Sequence, residues 1–342
     1  MGMNKNFLPA LLALAVLSNR AVAADAPQPG SCALKQYASI DLVVLDSDVW
    51  LPVTIDGRSG LMALNTGSGL SVIWKDVALD LKLRRRELRP IRGSIRFGKQ
   101  IVTEAAAFKS LSVDKVGFGK GEFLVVQRSQ NETDPPGALG AIGLDVLAAV
   151  DFELDLAHKK LNLFSPEHCP GNVVYWTDTF ASTPLLRGPL GNFYFAVELD
   201  DQKVEASIAT GRQTTTLGTD VSKLMYGFDQ DSPGIELSQD PDTGESQAHF
   251  RAMHINAPGL TVRNTRVRLI SRPRACQIRR KSYESKAAGY GESCSGSFPL
   301  QLGRNVLQNL RLYFATKERV LYYSGAQASH TKNDSSPPAA AQ

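Results

Sequence analysis

From Met62 to Ile73 the chain reads "MALNTGSGLSVI"; 144 residues later, from Ala206 to Leu217, it reads "ASIATGRQTTTL". Each stretch is an apolar run, a tight turn carrying Thr-Gly, and a second run. Longer windows extend the match without a gap. "PVTIDGRSGLMALNTGSGLSVI" from Pro52 lies over "AVELDDQKVEASIATGRQTTTL" from Ala196, so that Val53 meets Val197, Ile55 meets Leu199, Asp56 meets Asp200 and Thr66-Gly67 meets Thr210-Gly211. A second pair follows. "GLDVLAAVDFELD" from Gly143 and "GRNVLQNLRLYFA" from Gly303 share Gly-x-x-Val-Leu, now 160 residues apart. Two copies of one module account for this pattern. The wider second spacing places a modest insertion in the second copy, in a region that includes the Arg-rich stretch around Cys276.

Each copy reads as β. "PVTID", "FYFAVELD" and "TVRNTRVRLI" alternate with period 2, which puts Val, Ile or Phe on one face. Gly, Asp and Asn punctuate the gaps. One short helix is expected in each half, "GLDVLAAV" and "GRNVLQNL", followed by a long strand pattern, "DFELDLAHKKLNLF" and "RLYFATKERVLYYS". The expected fold class is all-β: two small closed barrels, each with a short terminal helix. The expected divisions are a signal peptide over 1–23, a first lobe over 32–166, a Pro- and Gly-containing linker over 167–189 and a second lobe over 190–325. The small, polar, Pro-containing tail over 326–342 is expected to be disordered.

Four elements in order, "LNTGSGLSVI", "GAIGLDVL", "IATGRQTTTL" and "LQLGRNVL", carry a specific likeness. The chain resembles the retropepsin and pepsin clan of aspartic peptidases, in the fused two-lobe bacterial form called retropepsin-like. The resemblance covers roughly Val53 to Tyr323. It implies two lobes related by a pseudo-twofold axis, with Asn65, Thr66, Gly67 and Ser68 in one active-site loop and Ala209, Thr210 and Gly211 in the other. Gly143 and Gly303 then belong to the element that packs beneath each loop. In active members an aspartate opens each loop. The two carboxylates, about 3 Å apart, share one proton and activate water against a peptide bond. The Thr or Ser hydroxyls bond across the lobe interface.

The chain departs from that pattern at the reacting atoms. Asn65 stands where the first aspartate would be, and Ala209 where the second would be. An amide has no carboxylate and a methyl group has no polar atom. Loss of a general base costs about 10² to 10⁴ in rate, and residues that act as a unit leave little when both are removed. The resemblance therefore implies a pseudoprotease that binds a peptide or protein ligand between its lobes. The alternative is an active aspartic-type endopeptidase that uses another acid. Asp56, Asp200, Asp220, Asp145 and Asp155 are the acids weighed for that role. Ser68 has no base paired with it by motif, and the histidines, at 158, 168, 249, 254 and 330, form no triad.

Composition bounds the rest. The 342 residues are 43% hydrophobic, enough for two cores, and the formal net charge of +4 implies no polyelectrolyte partner. Lys5, the apolar run Phe7 to Leu17 and Ala21-Val22-Ala23 read as a signal peptide, so a periplasmic or secreted location is expected. The run is too short for a permanent anchor, and no transmembrane segment is expected. Cys32, Cys169, Cys276 and Cys294 form no CxxC pair, so disulfides rather than a metal are expected, with Cys276–Cys294 and Cys32–Cys169 the expected bridges among three possible pairings. No cofactor and no nucleic acid partner is expected, and no motif sets an oligomeric state. Two basic runs, "LKLRRRELRPIRGSIR" from Leu81 and "RPRACQIRRKSYESK" from Arg272, are read as solvated faces compensated by acids, with anionic envelope components as the alternative. Asn131-Glu132-Thr133 matches a glycosylation sequon, relevant only in a eukaryotic secretory route.

Overall fold

The computed structural model describes residues 33–45, 48–88, 95–97, 100–128, 134–188, 190–227, 231–239, 246–272 and 298–328. The signal peptide, Cys32, Cys276, Cys294, Asn131, His330, part of the first basic run and all of the second beyond Arg272 lie outside these residues.

Period-2 alternation is realised as two barrels. In the first, Val49–Ile55, Arg58–Leu64, Ala138–Ile142, Val72–Trp74, Val116–Val126 and Glu104–Val113 pair in that order, and Val49–Ile55 closes the ring on Glu104–Val113. In the second, Phe193–Leu199, Gln202–Ile208, Leu300–Leu302, Thr215–Gly218, Leu260–Ile270 and Ser246–Ala257 pair in the same order, closed by Phe193–Leu199 on Ser246–Ala257. Closure removes the exposed edges an open sheet would leave. The fold is mainly β with two six-stranded barrels, as the duplicated pattern implies.

The registers of the two barrels correspond residue by residue. Val72 lies opposite Leu124 and Thr216 opposite Arg268, a shift of 144 on both strands; Leu64 lies opposite Ile142 and Ile208 opposite Leu302, a shift of 144 on one strand and 160 on the other. The extra residues of the second copy therefore fall between Ile270 and Leu300. Helices Leu144–Leu147 and Arg304–Leu307 occupy the expected positions. Two further helices, Lys75–Asp80 and Thr219–Tyr226, also stand 144 residues apart. The second of these ends at Gly227, whose φ of 71° supplies the left-handed cap a helix end favours.

Each expected long strand is instead a hairpin. Asp151–Asp155 turns back as Lys160–Phe164, and Leu310–Ala315 as Val320–Gly325. The reversals pass through Lys159 and Arg319, with φ of 55° and 60°. Without Gly or Pro at these positions the turns carry no compositional signal.

The two hairpins join in a sheet of order Gln36–Asp41, Lys160–Phe164, Asp151–Asp155, Leu310–Ala315, Val320–Gly325, Ala181–Pro184. At its centre Glu153 pairs with Tyr313, its own counterpart at a spacing of 160, flanked by Phe152 with Phe314 and Leu154 with Leu312. The pseudo-twofold axis passes through that pair. Phe152 and Phe314 stack at 4.3 Å. The opposite face of Asp151–Asp155 buries three acids, each with a partner. Asp151 takes His168 Nε2 at 2.7 Å and the Thr316 N–H at 2.8 Å. Glu153 takes Arg311 Nε at 2.6 Å and the Tyr175 hydroxyl at 2.5 Å. Asp155 takes His158 Nδ1 at 2.8 Å. Trp176 lies against Arg311, 4.6 Å from the guanidinium. The stretch between the lobes thus covers the interlobe sheet, with Val173 and Trp176 buried.

The ordered chain continues past Gly325: Ala326 is buried and its N–H donates to Asn309 O at 2.9 Å. Residues 329–342 lie outside the described set. Among the described residues no helix is long and apolar enough to cross a membrane. The first basic run forms the exposed strand Arg84–Glu87, where Arg85 meets Glu104 at 2.8 Å and Arg86 meets Glu122 at 2.6 Å. These charges are compensated across the sheet.

Candidate functional site

The strands Arg58–Leu64 and Gln202–Ile208 each run into one of the Thr-Gly turns, and the same hydrogen bonds shape both. The Asn65 N–H donates to Ile142 O at 2.9 Å and the Ala209 N–H to Leu302 O at 3.0 Å. The turns close through Ser68 N–H to Asn65 O and Arg212 N–H to Ala209 O, both at 3.1 Å. Gly143 and Gly303 pack beneath. A Cβ on Gly143 would stand 2.9 Å from Ser68 O, and one on Gly303 would stand 2.5 Å from the Thr214 carbonyl carbon, so neither position admits a side chain.

The two turns meet across the lobes through a reciprocal exchange. The Thr66 N–H donates to Thr210 Oγ1 at 3.1 Å, and the Thr210 N–H to Thr66 Oγ1 at 3.3 Å. Each hydroxyl then donates onward, Thr66 to Ile208 O at 2.9 Å and Thr210 to Leu64 O. Both side chains are buried, at 2% and 0% exposure. The residues before them are brought together as well. A Cβ built on Gly67 would touch Ala209 Cβ at 3.1 Å and Asn65 Oδ1 at 3.5 Å, and one on Gly211 would stand 3.8 Å from Asn65 Oδ1. Asn65 is half-buried, and Ala209 is 3% exposed.

Residues 51–146 match the family model described as aspartyl protease. No curated protein matches the chain. The matched span holds the Asn65 turn and its supporting glycine. The second barrel repeats both, and the chain as a whole has an aspartic-protease-like fold.

The other acids are occupied away from the paired turns. Asp56 accepts the Lys109 and Ser110 N–H groups, and Asp200 accepts the His254 N–H. Asp220 pairs with Arg272 at 2.9 Å, and Asp155 with His158 on the interlobe sheet. Ser68 Oγ donates to Leu70 O at 2.7 Å, a local turn bond. Of the histidines, His168 and His158 belong to the interlobe sheet, while His249 and His254 lie on the second barrel. One acid was missed. A Cβ on Gly211 would stand 3.4 Å from Asp48 Oδ1, which places this carboxylate beside the second turn. Nothing local in "LDSDVW" marks it, because its position depends on where the other lobe packs.

Asp145 lies behind the first turn and accepts from the Ser71 N–H at 2.9 Å and the Ser71 hydroxyl at 2.5 Å. Ser71 Oγ in turn accepts the Gly143 N–H at 2.8 Å. The second lobe builds the same support with an amide: Asn305 Oδ1 accepts the Thr215 N–H at 2.8 Å and its hydroxyl at 2.9 Å.

The threonine exchange couples the lobes energetically. Thr210→Val leaves the Thr66 N–H and Leu64 O without their buried partner, and should cost roughly 2–4 kcal/mol in urea denaturation. Thr66→Val should behave alike. Their double-mutant cycle should show coupling of at least about 0.5 kcal/mol, whereas strictly additive losses would mean that the turns do not hold each other.

Burial pushes the Asp145 carboxyl above its ordinary value, against the pull of the Ser71 hydrogen bonds. An unfolded aspartate titrates near about 4, so with rising pH the unfolded chain ionises first. The stability contributed here is fully present below that pH and is lost as pH climbs through the raised folded value. Asp145→Asn keeps the acceptor and removes the ionisation. Its melting temperature relative to the parent should therefore rise between about pH 3 and pH 7; a difference that does not change with pH would contradict a raised Asp145.

Proposed function

We propose that this protein is an exported pseudoprotease: an aspartic-protease fold that binds a peptide or protein ligand in the cleft between its lobes without cutting it. The observation that carries the reading is Ala209, a buried methyl group where the resemblance places one of two obligatory carboxylates. Its neighbour Asn65 is an amide. The scaffold around them is intact, and the Thr66–Thr210 exchange holds both turns. What remains is a preserved meeting point of two turns with no acid at either matched position, 65 or 209.

The alternative, peptide-bond hydrolysis through another acid, has Asp48 in its favour, since its Oδ1 approaches Gly211. A single carboxylate beside an amide still lacks the paired acid and base of the dyad, and we favour binding.

We propose export through the signal peptide over 1–23, to the periplasm or outside the cell, with lobes over 32–166 and 190–325, a linker over 167–189 and a tail over 326–342. In that setting Cys32 pairs with Cys169 and Cys276 with Cys294. The Ser165 N–H to Lys35 O bond of 2.9 Å supports the first pairing, because it holds segments three residues from Cys32 and four from Cys169 together. Mass spectrometry of the exported chain should find an N-terminus after Ala23 and no free thiol; an uncleaved chain or alkylatable cysteines would count against it.

The functional test uses the purified mature chain with an unbiased peptide library at acid and neutral pH. Peptides should be retained and none cleaved. Cleavage that a statine-type inhibitor abolishes would overturn the reading in favour of the enzyme. The companion variant, Asn65→Asp with Ala209→Asp, places two carboxyls in one poorly solvated site, which raises at least one folded-state pKa. Its melting temperature should fall below the parent's, by more at neutral pH than below about pH 4.

A further inference from the structure

The two lobes correspond position by position, and one mismatch is charged. Where the first lobe has Ser68, Leu124 and Leu144, the second has Arg212, Arg268 and Arg304. The pairing sets this equivalence. Leu124 lies opposite Val72 as Arg268 lies opposite Thr216. The Leu144 N–H donates to Ser68 O at 2.9 Å as the Arg304 N–H donates to Arg212 O at 2.8 Å. Three arginines therefore occupy the matched positions around the second turn. Arg304 Nη1 reaches Leu45 O at 2.7 Å, and Asp48 Oδ1 lies beside Gly211. Leu45 and Asp48 thus both come up against this turn.

Arg212 is the exposed member, directly after Gly211. Among the described residues its side chain makes no hydrogen bond and no salt bridge. Desolvation and then the repulsion of Arg268 hold its guanidinium below the ordinary value, against the attraction of Asp48. An exposed cation pressed by a like charge gains from an incoming anion. The planar guanidinium fork suits a carboxylate, which it can hold through two parallel hydrogen bonds.

We propose that the second turn carries a carboxylate subsite, formed by Arg212 with Arg268, which selects peptides bearing an acidic side chain on the second-lobe side of the paired turns. The proposal rests on the peptide-binding reading above and adds the class of peptide. The first lobe offers Ser68, Leu124 and Leu144 at the same places, so the preference is one-sided and fixes the direction in which a peptide lies. The other arginine-rich surface, Arg84–Glu87, is already matched by Glu104 and Glu122 and serves as the control.

The experiment measures fluorescence anisotropy of two fluorescein-labelled random peptide pools on the mature chain at low salt. One pool carries Asp and Glu at alternate positions, the other Asn and Gln at the same positions. The acidic pool should bind at least about tenfold more tightly, the equivalent of one charge-assisted hydrogen bond. Arg212→Gln should bring acidic-pool affinity close to that of the amide pool, and its circular-dichroism melt, compared with the parent's, reports whether the variant is folded. Arg268→Gln should weaken the acidic pool in the same direction and decides the matter if Arg212→Gln does not fold. The triple change Arg84→Gln, Arg85→Gln, Arg86→Gln should leave the preference intact. Equal binding of both pools overturns the subsite and leaves peptide binding standing; binding of neither pool overturns both. A preference lost in the triple variant but kept in Arg212→Gln and Arg268→Gln also overturns the subsite, by placing it on the edge strand.

Discussion

The exchange between Thr66 and Thr210 is the constraint around which the molecule is arranged. Each backbone N–H is satisfied by the other lobe's hydroxyl, and each hydroxyl by a carbonyl two residues before the partner threonine. A buried turn has few other ways to satisfy its polar groups, since water is excluded and the flanking strands have used their own. Neither lobe can therefore complete its turn alone. The pairing also brings residues 65 and 209 together, whatever side chains they carry, because the backbone of Thr66 and Thr210 sets their approach.

A second junction on the same axis holds the lobes from the other side. Glu153 pairs with Tyr313 at the centre of the interlobe sheet, and the aromatic pair Phe152 and Phe314 packs across it. The two junctions treat charge in opposite ways. The sheet buries Asp151, Glu153 and Asp155 and gives each a cation, imidazole or hydroxyl partner. The paired turns bury a methyl group and half-bury an amide, which need no such compensation. Two acids at the turns would repel each other at close range. A shared proton resolves that conflict when chemistry demands it; Asn65 and Ala209 remove it.

Much of this was legible in the chain because the module occurs twice. One Thr-Gly turn is a common feature, but two at matched spacing, each followed by Gly-x-x-Val-Leu, confine the topology to two equivalent barrels. The helices at Lys75–Asp80 and Thr219–Tyr226 escaped notice. Each follows a short strand directly, so "SVIWKDVALD" and "TLGTDVSKLMYG" blend one periodicity into the next. The hairpins inside "DFELDLAHKKLNLF" and "RLYFATKERVLYYS" escaped for a related reason. Their turns use Lys159 and Arg319 at positive φ, where tertiary pairing of the arms overrides the local preference for extended backbone.

By itself, the sequence determined the duplication, the all-β class, the positions of both turns and the absence of a carboxylate at residues 65 and 209, since all of these follow from residue identity and spacing along one chain. Only the tertiary structure decided which groups meet. It set the reciprocal threonine bonds, brought Asn65 beside Ala209, carried Asp48 to Gly211 and put Arg212 and Arg268 at the places where the first lobe has Ser68 and Leu124. These contacts join residues from different lobes, or strands adjacent only after the barrel closes. Their distances depend on packing, which no local window contains.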